Sequence, residues 1–317
     1  MADIILALPQ QVYVRVSSVV LSYASAVFRT MFGPNFKEGA EPRTSAHPKE
    51  ISLPDDDPSG MTHLCDLLHG RKTNGDEQTE DGLAEQLWRL AVVADKYDCV
   101  AAVSLQTEAM LSRFLLSTGT AKVHSLGATA YLAGAAYHLE RNGFFYLFTK
   151  RLVLDYYEPF FVVSSQANHE ALQAETWLKL AEQRATARTT FLEELPRLGS
   201  DKWCHNGCGG GNKSDDFAQK MALKLGRTGH WPPRLSATPL RGILAQVHGV
   251  GTVHIAVKCT CGDAYNSLVA GSSVQALARS IYDSAGLCLW CTRAGGSSTG
   301  ACKHAEDQAF AGPVVAA

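Results

Sequence analysis

The chain lacks a marked excess of charge of either sign. Its 317 residues include 29 Lys and Arg against 31 Asp and Glu, a formal net charge of −2. A balance so close to zero provides no general attraction to nucleic acid or to an anionic membrane surface. Nucleic acid and membranes are therefore not the expected partners of the chain.

Long apolar segments and a targeting signal are also missing. The sequence contains no run of about 18 uncharged apolar residues, so no membrane span is expected. Asp3 stands near the start, and no basic segment precedes an apolar run as in a secretory signal peptide. The expected location is the cytoplasm, the nucleus or both. The most apolar segment, 126–139, contains His138 and is followed by Glu140, so we predict a buried helix there.

Sequence signatures of common enzymes are absent as well. The chain has no Walker loop, no G-x-S-x-G and no H-E-x-x-H. The glycine-rich run at 207–211 has no strand–loop–helix frame, which favours an ordinary loop. The acid pair at Asp55 and Asp57 stands in a predicted turn, where capping or solvation accounts for it. The chain is therefore not expected to be an enzyme, and a metal- or redox-dependent enzyme is the most remote interpretation.

Hydrophobic periodicity predicts an α+β chain that is mainly helical. The β-prone runs 4–6 and 12–16, separated by Pro9, are typical of a hairpin. Apolar residues recurring every three or four positions predict helices over 19–31, 61–68, 83–97, 100–116 and 274–284, within a chain that is largely helical from 120 to 195. Six residues of the first predicted helix are expected to lie on its inner side: Val19, Val20, Tyr23, Val27, Phe28 and Met31.

Four stretches of the sequence resemble the BTB/POZ domain. They are VVLSYASAVFRTMFGPNFKEG at 19–39, ISLPDDDPSGMTHLCDLLH at 51–69, the opening Asp3-Ile-Ile-Leu, and ADKYDC at 94–99. The order and spacing of these stretches carry the resemblance, which is strongest to the version common in filamentous-fungal proteins. The family's fold, a small sheet flanked by helices, is therefore expected at the N-terminus.

The predicted domain organisation combines this resemblance with a change in composition. A BTB/POZ domain is expected over 1–116, and residues 117–199 resemble the helical extension behind BTB domains in fungal proteins. Glycine, serine and cysteine become more frequent after residue 200, where seven of the nine cysteines lie. Residues 200–317 are therefore predicted to form a Cys-rich module. Cys65 and Cys99 lie in helical patterns and are expected to be small buried residues.

The resemblance implies a role in protein–protein interaction. Family members dimerise, recruit a cullin-type ubiquitin ligase or assemble transcriptional complexes, and such roles need exposed apolar patches with a polar rim. Met31, Phe32 and Phe36 are the candidate partner-binding residues, because they end the first helix and enter the following turn. The alternative is that they belong to the core. A substrate adaptor of a cullin-type ligase is the first interpretation, and a transcriptional or chromatin-associated regulator is the second.

Two departures from the family pattern bear on its partners. Many members have a basic segment where this chain has Arg15-Val16-Ser17-Ser18. If Ser18 faces Asp3, the family's charged pocket is expected to lack its counter-charge, which disfavours co-repressor-type partners. The chain also begins two residues before Asp3, so a strand-exchanged dimer is not expected, whereas a homodimer through a helix face is compatible with the sequence.

Closely spaced cysteines and a histidine near the C-terminus predict a structural zinc site. Zinc needs four N or S ligands in a tetrahedron, and a C-x-x-C pair supplies two of them from one turn. The favoured ligands are Cys259, Cys261, Cys288 and Cys291. Cys302 or His304 is the candidate replacement for one of the first two sulfurs, with Gly295 and Gly296 turning the chain back. Ordinary reduced thiols and disulfide or redox chemistry are the alternatives.

Two weaker patterns precede this cluster. Cys204 and Cys208 would form a second zinc site only if Cys302 and His304 completed it. Four basic residues beside them raise the alternative of DNA binding: Lys213, Lys220, Lys224 and Arg227. Few aromatic residues accompany this basic group, which favours a solvated helix face.

Overall fold

The computed structural model describes residues 2–40, 42–71, 79–116, 124–160, 170–198, 223, 238–248, 253–258, 264–269, 271–296, 302 and 304. The chain divides into two compact units. The first comprises Met1–Phe148 with Ala167–Leu172, and the second comprises Thr149–Gln166 with Gln173–Ala317.

A three-stranded sheet opens the first unit. Strand β1 (Ile4–Leu8) pairs antiparallel with β2 (Val12–Val16) and parallel with β3 (Lys49–Ser52), so the strand order is β2-β1-β3. A 3₁₀ turn at Pro9–Gln11 joins the first two strands, which confirms the predicted hairpin. Side chains alternate between the two faces of a strand, and the inward residues are Ile4, Leu6, Val14 and Val16.

Helices make up the rest of the first unit. They are α1 (Ser18–Ala24), α2 (Ala26–Met31), α3 (Lys37–Ala40), α4 (Pro58–Leu68), α5 (Glu80–Lys96), α6 (Ser104–Leu116) and α7 (Leu126–His138), and α8 (Asn142–Leu154) begins here and ends in the second unit. Helix α5 packs against both α4 and α7. The Asp57 and Thr79 side chains cap α4 and α5 by accepting hydrogen bonds from backbone N–H groups of the first turn.

The predicted helix over 19–31 is two helices, and this corrects the sequence analysis. Ser25 separates them with extended backbone, φ −141° and ψ 128°. Its side chain accepts a hydrogen bond from the Phe28 N–H at 2.9 Å and donates one to the Tyr97 carbonyl oxygen at 2.5 Å. Ser25 is therefore the N-cap of α2 and also ties that helix to the end of α5.

The break at Ser25 changes which residues of α1 and α2 face inward. Leu21 and Phe28 are fully buried, whereas Val19, Tyr23 and Val27 are exposed. The prediction that these three residues lie on the inner side is wrong, while the prediction for Phe28 is confirmed. Because the apolar pattern continues across a change in direction, a single helical period misassigns the face.

Helix α7 is the most buried helix of the first unit, as predicted for the apolar segment at 126–139. At Gly134, a Cβ atom would lie 2.1 Å from the carbonyl oxygen of Ala171. Glycine is therefore required here for the Glu170–Leu172 segment to approach the helix. Cys65 and Cys99 are buried, also as predicted, and burial is the main cause that raises the thiol pKa values to about 12 and about 11. Both thiols stay protonated at neutral pH.

The second unit contains helices and a two-stranded sheet. Its elements are α9 (Ala174–Arg197), α10 (Leu240–His248), β4 (Val253–Lys258), β5 (Ala264–Val269), α11 (Gly271–Ser284) and α12 (Leu289–Arg293). The two strands pair antiparallel, and α11 packs against both α9 and α10. The predicted helix over 274–284 is confirmed within α11. The fold is α+β and mainly helical, as expected. In the described part of the chain, no helix is both long and apolar enough to cross a membrane.

Candidate functional site

Four metal-ligating side chains of the second unit come together around α12. They are Cys288, Cys291, Cys302 and His304, and one ligand atom from each lies within 4.8 Å of the others. His304 Nδ1 is 3.7 Å from Cys288 Sγ and 3.8 Å from Cys291 Sγ. Zinc bonds of about 2.0–2.3 Å in a tetrahedron place neighbouring ligand atoms about 3.3–3.8 Å apart. The cluster therefore has the donor set and nearly the spacing of a four-coordinate zinc site.

Local structure at α12 positions the two cysteines of the C-x-x-C pair. Cys288 is the N-cap residue and Cys291 follows three residues later, so their side chains lie on one side of the helix. Thr292 fixes the start of the helix, because its N–H and Oγ1 both donate to the Cys288 carbonyl oxygen, at 2.9 and 2.8 Å. Gly295 follows in the left-handed conformation, φ 69°, which glycine adopts without strain.

Helix α9 supports the segment that leads into Cys288. Gln183 Nε2 donates to the carbonyl oxygens of Ser284 and Gly286, both at 2.9 Å, and its Oε1 accepts from the Gly286 N–H at 3.2 Å. Thr149 Oγ1 accepts a hydrogen bond from the Leu287 N–H at 2.9 Å. These contacts, most of them buried, hold the backbone next to the first cysteine.

The electrostatics of the cluster suit a cation. Cys288 is buried, and Cys291 and His304 are partly exposed. Burial, followed by the hydrogen bond and charge of Cys288, raises the Cys291 thiol pKa to about 11. Closely spaced sulfurs cannot all ionise at neutral pH unless a positive charge joins them, and a bound metal provides that charge. No disulfide joins the five cysteines of the described segments.

The structure places only part of the predicted ligand set. Cys259 and Cys261 lie outside the described residues, so the favoured grouping with Cys288 and Cys291 stays a prediction. Cys302 and His304 both join the cluster, whereas the sequence analysis named either one as a replacement for a single sulfur. The C-x-H spacing of Cys302 and His304 indicated that both are candidate metal ligands. No local sequence pattern indicated that both lie next to the C-x-x-C pair.

Other predicted features of the C-terminal region cannot be placed. Cys204 and Cys208, the possible second zinc pair, lie outside the described residues. The basic residues proposed for DNA binding, Lys213, Lys220, Lys224 and Arg227, lie outside them too.

Phe36 is the exposed apolar residue of the turn that follows α2. Its side chain is 48% exposed, whereas Phe32 is only 5% exposed and stacks on Phe28 with ring centroids 5.6 Å apart. Met31 is partly exposed. Among the three predicted partner-binding residues, Phe32 is thus a core side chain, and Phe36 with Met31 forms the accessible part. Their role in binding stays a prediction.

Two backbone hydrogen bonds and a close approach between Gly39 and Gly33 order the turn that bears Phe36. The carbonyl oxygen of Phe36 accepts hydrogen bonds from the N–H groups of Gly39 and Ala40, both at 3.0 Å. A Cβ at Gly39 would lie 1.8 Å from the carbonyl oxygen of Gly33, so only glycine allows this close approach. The backbone is thereby fixed on both sides of an exposed aromatic ring.

A second apolar surface lies on α1. Val19 is 74% exposed and Tyr23 is 87% exposed. Residues four positions apart occupy the same face of a helix, so these two side chains are neighbours on the surface. Adjacent exposed apolar side chains make this face of α1 a candidate protein-interaction surface.

Asp3 has a counter-charge, which corrects the expectation that this pocket lacks one. Arg43 Nε lies 3.4 Å from Asp3 Oδ2, and Ser18 donates to the same carboxylate from its N–H at 2.8 Å and its Oγ at 2.7 Å. Burial alone would raise the pKa of Asp3, but the Ser18 hydrogen bonds and the Arg43 charge lower it overall. The sequence analysis missed Arg43 because it comes from a loop forty residues further along the chain.

Comparison with protein families agrees with the fold of the first unit. Residues 1–113 match the family model described as BTB/POZ domain. No curated protein matches the chain. BTB domains mediate protein–protein interaction and dimerisation, and they are generally not enzymes. The sheet of β1 to β3 with its surrounding helices, the family match and the exposed apolar residues together identify residues 1–113 as a BTB/POZ domain, a protein-interaction module.

Proposed function

We propose that this chain is a BTB adaptor that links a cullin-type ubiquitin ligase to other proteins in the cytoplasm or nucleus. The exposed ring of Phe36, held in a fixed turn at the end of α2, is the observation that supports this role most directly. Aromatic residues are enriched among the residues that dominate binding energy at protein interfaces. The alternative use of the ring, as a core side chain, is disfavoured because nearly half of it contacts solvent.

The rigidity of the turn that bears Phe36 also favours partner binding at this surface. Binding is weakened when flexible groups must be ordered at the interface. Hydrogen bonds from Gly39 and Ala40 already order the turn, and partly exposed Met31 adds apolar surface at the end of α2. A partner can therefore bury Phe36 at a small entropic cost.

Self-association is the second part of the proposal. The α1 face formed by Val19 and Tyr23 contacts a second copy of the chain, in keeping with the dimerisation that BTB domains mediate. The Phe36 turn follows a different helix, so dimerisation and partner binding use separate residues. A dimer would present two partner-binding turns at once, which increases avidity.

The C-terminal cluster is proposed to hold a structural zinc ion. Its four candidate ligands are three cysteines and one histidine, and a set of four protein ligands of this kind is typical of structural zinc sites. Cysteine and histidine donors suit zinc better than calcium or magnesium, which prefer oxygen. The metal would secure the short helix α12 against the end of the chain.

We also propose that the chain has three segments, a BTB domain, a helical extension and a Cys-rich module, with boundaries near 116 and 199.

The adaptor role is tested by titrating the purified full-length chain with a purified cullin-type scaffold in a calorimeter. Phe36→Asp should weaken binding by at least about thirtyfold, as expected for an interface residue worth about 2 kcal/mol. Tyr13→Asp, at an exposed aromatic on β2, is the matched control and should leave the affinity unchanged. No binding by the wild type, or equal weakening in both variants, would rule out the proposed surface.

The contact of Asp3 with Arg43 supports a second candidate, a transcriptional or chromatin-associated regulator. The family resemblance links this charged pocket to co-repressor-type partners, and here the pocket has both charges. The two groups are about one-fifth exposed, so a partner can reach them. The two candidate functions differ in the proteins that the chain recruits: a cullin and ligase subunits for the adaptor, and chromatin factors for the regulator.

A further inference from the structure

A surface cleft of the first unit, distinct from the Phe36 turn and the α1 face, encloses about 420 Å³. It lies between the turn at 55–57, one side of α5, Tyr131 of α7 and Glu170. No role was predicted for it from the sequence, which assigned the acids at 55–57 to capping and solvation.

Negative charge dominates the cleft. Its carboxylates are Asp55, Asp56, Asp57, Glu85 and Glu170, against two cationic side chains, Arg89 and Lys96. Both cations are already engaged. Arg89 donates to Asp57 at 2.5 Å and to Glu85 at 2.6 Å, and Lys96 donates to Asp56 at 2.7 Å. The lining therefore carries more carboxylates than cationic groups, so the cleft suits a cation and disfavours an anion.

Two aromatic rings line the same cleft. The ring centroids of Trp88 and Tyr131 are 5.2 Å apart, with their planes tilted by 38°. Such rings attract ammonium and guanidinium groups through their negative faces and bury the apolar stem of a long side chain. An aromatic surface beside carboxylates is therefore suited to Arg or Lys and not to a small inorganic cation.

The Tyr131 hydroxyl gives independent support for a ligand. The residue is only 6% exposed, yet within the described structure its hydroxyl has no hydrogen-bond partner, and it is not among the polar atoms sealed from solvent. Burial, followed by the charges of Glu85 and Glu170, raises the pKa of this hydroxyl, whereas Arg89 lowers it. A nearly buried polar group therefore faces the cleft, stays protonated and can accept a hydrogen bond from a cation.

We propose that this cleft binds an arginine or lysine side chain from a basic segment of a partner protein. The cationic group would lie near Asp55 and donate to the Tyr131 hydroxyl, while the apolar stem would contact Trp88. The proposal is independent of the ligase role, because the cleft shares no residue with the Phe36 turn.

The test is fluorescence anisotropy of the full-length chain with a fluorescein-labelled peptide of alternating arginine and serine, in 0.15 M salt. An otherwise identical peptide with glutamate in place of arginine should not bind. Asp55→Lys should weaken binding of the arginine peptide about tenfold, because an attractive charge becomes a repulsive one. Glu108→Lys is the matched control, since this exposed α6 residue lies outside the cleft, and it should change binding less than about twofold.

A second variant separates a specific site from general attraction to acidic surface. Tyr131→Phe keeps the ring and every charge but removes the hydroxyl, and it should weaken the arginine peptide about threefold to tenfold. Phe36→Asp should leave peptide binding intact, so failure of the ligase proposal and failure of this one remain distinguishable. Absence of binding by the wild type, equal weakening by Asp55→Lys and Glu108→Lys, or full binding by Tyr131→Phe would each overturn the proposal.

Discussion

Removal of the proposed zinc ion should destabilise the second unit. Cys288 lies in the segment held by Gln183 of α9, and Cys302 and His304 complete the cluster from beyond α12. The metal would therefore connect α12 to the residues that follow it in the chain. We expect purified protein to contain a zinc ion at this site and to lose stability on chelation.

The size of this effect follows from ligand linkage. A site with a dissociation constant of about 1 nM, at about 1 µM free zinc, stabilises the folded state by about 4 kcal/mol. For a unit of this size, about 1 kcal/mol shifts the melting temperature by about 2–4 °C, so chelation should lower it by about 8–16 °C. Thermal unfolding with and without a chelator, together with elemental analysis of bound zinc, measures both quantities.

A matched pair of cysteine variants makes the test specific. Cys302→Ser removes a ligand from the cluster and should lower bound zinc by one ion per chain. Cys65→Ala removes a thiol that is buried in the first unit, so it should reduce stability but leave bound zinc unchanged. Absence of zinc from the wild type, or unchanged zinc in Cys302→Ser, would refute the metal site.

Two further predictions concern the first unit. His63 is buried, and both of its ring nitrogens lack a hydrogen-bond partner among the described residues; burial lowers its pKa although Asp66 opposes this. Below about pH 6.5 the unfolded chain binds a proton that the folded chain does not, so the free energy of unfolding should fall as pH decreases, by up to about 1.4 kcal/mol at pH 5.5. Urea denaturation should show that His63→Leu removes this decrease, and an unchanged pH dependence would contradict the assignment. Tyr23→Asp should convert the dimer to a monomer in light scattering after gel filtration, while Tyr13→Asp should leave the dimer intact; a monomeric wild type would refute the α1 interface.

The elements that could be predicted from the sequence are those with strong local signals. The mainly apolar segment at 126–139 predicted a buried helix, and most residues of α7 are buried. The β-prone runs 4–6 and 12–16, separated by Pro9, predicted the hairpin. Hydrophobic periodicity failed to predict the helix break at Ser25. The side chain of Ser25 donates a hydrogen bond to the Tyr97 carbonyl oxygen, seventy-two residues away, and no local pattern indicates this contact.

Side-chain partners that are distant in sequence were the main omission in the candidate sites. Arg43 neutralises Asp3 from a loop with no helical or strand pattern. The acidic cleft combines Asp55 with Tyr131 and Glu170, which only the packing of α7 and of the Glu170–Leu172 segment brings together. At the Cys/His cluster, Cys288 and Cys291 were identified by their spacing, but the residues that join them depend on the path of the chain.

The most direct test of the central claim is affinity purification of the intact chain from its own cells, with mass spectrometry of the recovered proteins, for the wild type and Phe36→Asp. The adaptor account predicts a cullin and ligase subunits with the wild type and their loss with Phe36→Asp. Recovery of chromatin factors without any cullin, or a cullin retained equally by Phe36→Asp, would contradict it.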